Sequence, residues 1–222
     1  MDIEPILAVY ASLKEQRSPW ESWWDSLRKH VLPRREGYRD DPAPSGGKFR
    51  LYDTTAVEAC QKLASGHMSY MTPSNELWFK WSSPETKPSD EAESWYNQCS
   101  EIANRELAAS NFYTEMHECF LDRVALGTGS LYGGSTRSGR LLFRHVECGS
   151  FACAENDEGA VDTYFREFAL TPHQAERQFG AANLGPKVRE MLRQGKNPHG
   201  PRLRFLHAVR PRENATGGAT RP

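Results

Sequence analysis

The stretch Ala125-Leu126-Gly127-Thr128-Gly129-Ser130-Leu131-Tyr132 divides the chain into two halves with different patterns. Before it, apolar residues recur at helical spacing. After it, short strand-like runs alternate with turn residues. Gly127 and Gly129 lie at the junction. A glycine past the last helical turn takes the left-handed conformation that ends a helix, and a second one lets the chain leave close against it.

Working back from this junction, Phe112 to Leu126 reads as a helix with Met116, Phe120 and Val124 inward. Asp90 to about Asn111 reads as another, with Trp95, Cys99 and Ile102 inward. Val57, Cys60, Leu63, Ala64, Met68 and Met71 form a stripe on a helix that Asp53 caps and Pro73 stops. Glu76-Leu77-Trp78-Phe79-Lys80-Trp81 is short, aromatic and bounded by turn residues, and predicts a strand. At the start, Ile6, Leu7, Tyr10 and Leu13 follow helical spacing. Ser18-Pro19-Trp20-Glu21 then predicts a new helix, with Ser18 as N-cap, Pro19 at the first position and Glu21 completing a capping box. Trp20, Trp23, Trp24, Leu27 and Val31 continue its apolar face until Pro33.

Working forward, Ser130–Gly134, Arg140–Glu147, Phe151–Ala154 and Ala160–Phe168 have strand composition, and Asn156-Asp157-Glu158-Gly159 is a hairpin turn signal. Thr171-Pro172-His173-Gln174 is a capping box for a short helix ending near Gly180. Gly185-Pro186 begins another, ended by Gly195, and Arg202–Arg210 alternates weakly as a last strand. The order predicts an α+β fold, with N-terminal helices packed on a mostly antiparallel sheet. Residues 1–126 form the helical part with one short aromatic strand, residues 127–210 the β-rich part with two short helices, and residues 211–222 a flexible tail.

The chain has 222 residues, and 28 Lys and Arg against 29 Asp and Glu give a net charge of −1. This excludes a blanket polycation that coats nucleic acid or an anionic membrane. The charge is uneven: residues 186–222 carry nine Lys or Arg against two acids, a net of +7, which leaves −8 for the first 185. An acidic body and a basic end can pair head-to-tail between copies, or the basic end can be a solvated tail. No apolar run approaches the roughly 20 residues of a membrane span, and Met1-Asp2-Ile3-Glu4-Pro5 has neither the basic nor the apolar region of a signal peptide. Five irregularly spaced cysteines (60, 99, 119, 148 and 153) read as reduced thiols.

The chemistry-bearing patterns are weak. Gly46-Gly47-Lys48-Phe49 lacks the first glycine and the Ser or Thr of a phosphate loop, and Gly127-Thr128-Gly129 follows a helix where a strand is required. His117-Glu118-Cys119 and His145, Cys148, Cys153 are irregularly spaced for zinc, and no Gly-x-Ser-x-Gly elbow occurs. No catalytic, cofactor or metal site is expected. The basic residues Arg34, Arg35, Arg39, Lys48, Arg50 and Arg202 to Arg212 lack the interleaved aromatics of a single-strand groove.

The tryptophans are the main oddity: all six lie in the first 95 residues. Trp23 and Trp24 are consecutive on a helix and cannot share its face centre. Either one of them reaches another subunit, or the helix is buried on two sides within one subunit. Trp20, Trp23 and Trp24, with Arg202, Arg204 and Arg210, are the candidate subunit-interface residues.

The order of segments carries a resemblance. A Trp-rich helix ends in Val31-Leu32-Pro33. Leu51-Tyr52-Asp53-Thr54-Thr55-Ala56 follows a polar loop, then come Leu63-Ala64-Ser65-Gly66-His67-Met68, Met71-Thr72-Pro73 and Leu77-Trp78-Phe79-Lys80-Trp81. The Gly127–Gly129 junction and Leu206-His207-Ala208-Val209-Arg210-Pro211-Arg212 complete the series. From about Trp20 to Arg212 this resembles the head-to-tail connecting proteins, or portals, of short-tailed bacteriophages. Pro33, Tyr52, Asp53, Pro73, Trp78, Phe79, Gly127 and Gly129 are its candidate structural positions.

The resemblance implies a homo-oligomeric ring of twelve subunits at one capsid vertex. It implies a channel for double-stranded DNA during packaging and ejection, and the terminase large subunit, scaffold or capsid protein and a tail adaptor as partners. It also implies assembly in the bacterial cytoplasm and a place in the virion, with no membrane. Such portals are longer, and this chain corresponds to their N-terminal, wing-like portion, with stem, clip and crown absent, which reads as a truncated product, one piece of a split gene or a fragment of a longer protein. The other classes open to the sequence are a non-viral α+β scaffold or interaction protein, and an enzyme with an unrecognised convergent site.

Overall fold

Helix periodicity and turn chemistry set the element order in the computed structural model, which describes residues 3–33, 51–84, 89–194 and 202–211. The polar loop with Arg34, Arg35, Arg39, Lys48 and Arg50, Gly195, and the tail from Arg212 onward lie outside the described residues. Among the described residues the helices are α1 (Glu4–Val31), α2 (Thr55–Met71), α3 (Asp90–Ala109) and α4 (Phe112–Leu126), followed by strands β1 (Ser130–Ser135), β2 (Leu141–Val146), β3 (Phe151–Glu155) and β4 (Val161–Leu170). Helix α5 (Pro172–Phe179), a 3₁₀ turn at Ala181–Asn183, α6 (Pro186–Arg193) and β5 (Leu203–Val209) complete it. The fold is α+β. Its strands form two antiparallel sheets, a β1–β2 hairpin and a β3–β4–β5 sheet.

Three expectations are corrected. Ser18 and Pro19 do not start a new helix, because α1 runs unbroken from Glu4 to Val31 with Pro19 inside it. On each side of the proline the inward positions keep helical spacing, Ile6, Tyr10, Leu13 and Arg17 before it and Trp24, Arg28 and Val31 after it, so packing on either side of Pro19 outweighs one missing backbone bond. The Glu76–Trp81 stretch is not a strand. Among the described residues it has no partner strand, and its aromatics dock on helices instead. Trp78 stacks on Phe112 at 6.0 Å between ring centres, its indole N–H donates to the Tyr113 hydroxyl at 3.3 Å, and the Trp81 amide donates to Ser100 Oγ at 2.9 Å. Finally, Trp95 and Ile102 point outward on α3 and Cys99 is half-buried, because α3 buries only the narrow face centred on Ser100.

By contact the chain forms two compact units, one of Met1–Ser18 with Gly149–Pro222 and the other of Pro19–Cys148. In the first, Tyr10 meets Phe165 at 5.4 Å between ring centres, and Ile6, Leu13, Leu206 and Ala208 close around them and Ala152. Helix α1 thus covers one face of the β3–β4–β5 sheet. On the other face Phe179 of α5 lies 5.8 Å from Phe205, which stacks on Phe168. Helix α5 begins with a complete capping box, Thr171 Oγ1 accepting from the Gln174 amide and Gln174 Oε1 from the Thr171 amide.

In the second unit, Cys60 and Ala64 of α2 pack on Phe120 and Leu121 of α4, with Leu32, Val31 and Met68 closing the cluster. The expected α2 stripe is therefore half buried, while Leu63 and Met71 stay exposed. The other side of α4 carries the β1–β2 hairpin through polar groups. The side chain of Asn111, just before α4, pairs with both backbone groups of Phe143: its amide donates to the carbonyl at 2.7 Å and its oxygen accepts from the N–H at 2.9 Å. Glu115 accepts from the His145 amide at 2.6 Å. Asp122, 1% exposed, accepts from the Cys148 amide at 3.1 Å and meets His145 Nε2 at 2.7 Å. The spacings of four and seven put these three side chains on one helical stripe along the free side of β2.

Candidate subunit interface

The inward stripe of α1 decides which tryptophan turns which way. Trp24 falls on it, is half-buried, and donates its indole N–H to the Leu126 carbonyl at 3.2 Å. That carbonyl is one of the last four of α4, which have no partner within the helix. One turn on, Arg28 donates to the Cys148 carbonyl and to Asp25 Oδ1 at 3.3 Å, fixing the chain after β2. Trp20 and Trp23 fall off the stripe and are 62% and 68% exposed. Each indole can bury about 150–250 Å², so exposure on this scale leaves a large apolar surface uncovered. Among the described residues nothing buries the second side of the helix: Trp24 serves the fold, and Trp20 and Trp23 share an outward face three residues apart.

The arginines are dispersed. Arg204 faces Ala169 across the β4–β5 ladder, and Arg204, Leu206, Ala208 and Arg210 alternate onto the face that α1 covers. Only Leu206 and Ala208 lie in the core there. Arg202 and Arg210 are eight residues apart, about 26 Å along an extended strand, so Arg202 and Arg204 sit at one end of β5 and Arg210 at the other. On the opposite face His207 stands across from Arg166. Partial burial, and then the Arg166 guanidinium, lower the pKa of His207 from its usual value.

The structural positions have separate local roles. Pro33 follows buried Leu32 at the end of α1, and Pro73 follows buried Thr72, whose amide bonds to the Met68 carbonyl at 3.1 Å to close α2. Asp53 Oδ1 accepts from the Thr55 amide at 2.9 Å and from its hydroxyl at 2.6 Å. The expected Asp53 cap is corrected: Thr54 is the N-cap and its side chain makes no cap bond, while Asp53 holds only the first helical amide from one position further out, and these bonds, the hydroxyl's first, hold the Asp53 carboxyl below its ordinary range. Tyr52 is exposed, and Trp78 and Phe79 meet edge-on at 4.8 Å. Gly127 ends α4 at φ +84°, and its amide bonds to Arg123 O at 3.1 Å. At Gly129 an added Cβ would lie 2.6 Å from the Cys119 carbonyl oxygen, so only glycine lets the chain pass this close to α4.

Sequence reasoning missed two features. One is the Asn111, Glu115 and Asp122 seam, whose spacing of polar residues on a helix with an apolar opposite face was visible but unread. The other is the outer face of α2, where Leu63, Tyr70 and Met71 are exposed around Gly66. Among the described residues, no group of three or more His, Cys, Asp or Glu is placed to hold a metal ion, and no helix is long and apolar enough to cross a membrane.

Comparison with known proteins gives a consistent result. The family model described as bacteriophage head to tail connecting protein matches residues 4–221. The probable portal protein of Bordetella phage BPP-1 is 26% identical over 211 residues, which cover 93% of this chain and 38% of that protein. The portal protein of Salmonella phage epsilon15 is also 26% identical, over 223 residues covering 97% of this chain and 39% of that protein. The chain spans less than half the length of these curated relatives. Matched over nearly its whole length, the chain belongs to the bacteriophage head-to-tail connecting protein family.

Proposed function

We propose that this chain is the wing-like portion of a phage portal, a structural rather than catalytic subunit of a ring at the capsid vertex. Its helical 1–126 and β-rich 127–210 parts both belong to that portion. Double-stranded DNA passes through the ring during packaging and ejection. The terminase large subunit, the scaffold or capsid protein and a tail adaptor dock on it, and twelve copies close it. The family match over residues 4–221 carries this reading.

Physical features support it. A closed ring needs a heterologous contact, in which one face of a subunit meets a different face of the next. Trp20 and Trp23 offer an uncovered apolar face, and the uneven charge, −8 over the first 185 residues and +7 over the rest, offers complementary signs. A net charge of −1 also suits a passage in which phosphate contacts must stay weak for DNA to move.

The test is the solution mass of the purified chain by light scattering, with negative-stain images of the same peak. A ring-sized particle is expected. A chain that stays monomeric at high concentration, and does not enter rings when mixed with a full-length portal of the same phage, sinks the reading. Charge reversal at Arg202, Arg204 and Arg210 tests their part: assembly insensitive to it and to salt removes these three residues from the interface.

A further inference from the structure

Among the described residues nothing covers the outer face of α2. A shallow, open depression of about 610 Å³ lies along it, lined by Ala59, Lys62, Leu63, Gly66, Tyr70 and Met71. These residues lie on one helix, so the groove has a floor and rims but no opposite wall. Ala59, Lys62, Gly66 and Tyr70 are turned away from Cys60, Ala64 and Met68, which pack on α4, while Leu63 borders that packed side and Met71 lies in line with it at the end of the helix. Gly66 makes the notch: an added Cβ there would have no atom within 4 Å. Around it stand Tyr70, 91% exposed, with Leu63 and Met71 about half exposed.

A glycine in mid-helix costs up to about 1 kcal/mol relative to alanine, and among the described residues nothing enters the notch to offset it. The same unit carries a shape of the opposite kind. Trp20 and Trp23 project from the outer side of α1, and no described residue of their own chain covers them.

We propose that, in the ring inferred above and resting on that reading, the groove of α2 on one copy receives Trp20 and Trp23 of the next copy. Area selects this occupant. The exposed parts of the two indoles and of Leu63, Tyr70 and Met71 together present on the order of 600 Å². A stable interface of standard size buries about 1,600 Å² in total, a little over half of it apolar. These five side chains therefore supply most of the apolar core that such a contact needs. The two faces differ in shape, a paired knob and a notch, so the contact is heterologous and can propagate around a ring.

The test uses the 222-residue chain with Gly66→Leu. No neighbouring atom opposes the new side chain and a helical glycine is removed, so the variant is expected to melt no lower than the parent. The filled notch should lower the assembled fraction at a given concentration at least tenfold, and Trp23→Ala should do the same. A photo-crosslinking residue at position 63 should then link to the tryptic peptide of residues 18–28 from another copy, read by mass spectrometry. If the parent assembles and Gly66→Leu assembles equally well, or if the crosslink goes to another segment, this pairing is wrong and the ring reading stands. If the parent never assembles, alone or with a full-length portal, both fall together.

Discussion

Asn111 shows how one side chain can stand in for a strand. Its amide group meets both the N–H and the C=O of Phe143, as a neighbouring strand would, on the side of β2 that β1 does not reach. Truncation leaves two half-buried backbone groups without these partners, and an orphaned group of this kind costs about 1–3 kcal/mol. Asn111→Ala is therefore expected to lower unfolding stability by about that much, read from the urea midpoint. Asn111→Asp should be no better, because a carboxylate cannot donate to the Phe143 carbonyl. A midpoint unchanged by both would mean that water replaces the amide without loss. His207 gives a second residue-scale expectation, in pH. Its pKa is lowered in the folded chain by burial and by Arg166, so it binds protons less readily folded than unfolded. Stability is then full above the unfolded value, about 6.5, and falls as pH drops through that value toward the lowered one. His207→Gln should flatten this part of the stability curve, which the difference between parent and variant urea titrations at pH 7.5 and pH 5.5 will show. An unchanged difference would assign the acid sensitivity to other groups.

At the scale of elements, α1 tolerates what its sequence advises against. Pro19 cannot donate to the Glu15 carbonyl and its ring crowds that turn, yet the helix continues through it. Pro19→Ala restores the bond and is expected to raise stability by about 1–3 kcal/mol, with slower amide exchange around residues 15–20 as the check. Faster exchange there would mean that the proline itself shapes the helix. The same helix marks what the sequence could and could not reveal. Punctuation by local chemistry was legible: the Thr171 box, the Asn156–Gly159 turn and the Gly127 stop each act within a few residues, and each falls where the pattern puts it. Outcomes set by distant partners were not. Glu76–Trp81 has strand composition, but a strand exists only with a neighbour, and here α3 and α4 take its place. Trp95 and Ile102 keep helical spacing on α3, but spacing alone does not tell an inward stripe from an outward one. The candidate interface was legible to the same extent. Two adjacent tryptophans must diverge, but only the packing of the helix against α4 shows that Trp24 is the one turned in.

For the whole molecule, magnitudes separate the two forces that could hold copies together in the proposed ring, apolar faces and opposite charges. An exposed ion pair contributes about 0.2–1 kcal/mol, so Arg202, Arg204 and Arg210 together reach about 3 kcal/mol at most at low salt. Trp20 and Trp23 expose about 300 Å² between them, and at about 25 cal/mol per Å² their burial is worth about 8 kcal/mol before the cost of association. Screening also separates them: the Debye length shrinks from about 10 Å at 0.1 M to about 3 Å at 1 M, while apolar burial is not weakened by salt. Charge then acts mainly on encounter, where an acidic body and a basic end orient approaching copies. Raising sodium chloride from about 0.05 M to about 1 M is therefore expected to slow assembly about tenfold or more, followed by stopped-flow scattering. The assembled fraction at equilibrium, read by sedimentation, should stay nearly constant. Rings that dissolve in high salt would reverse this ranking and make the basic end the adhesive. Rings that form equally fast at both salt concentrations would leave the charge asymmetry without a role in assembly.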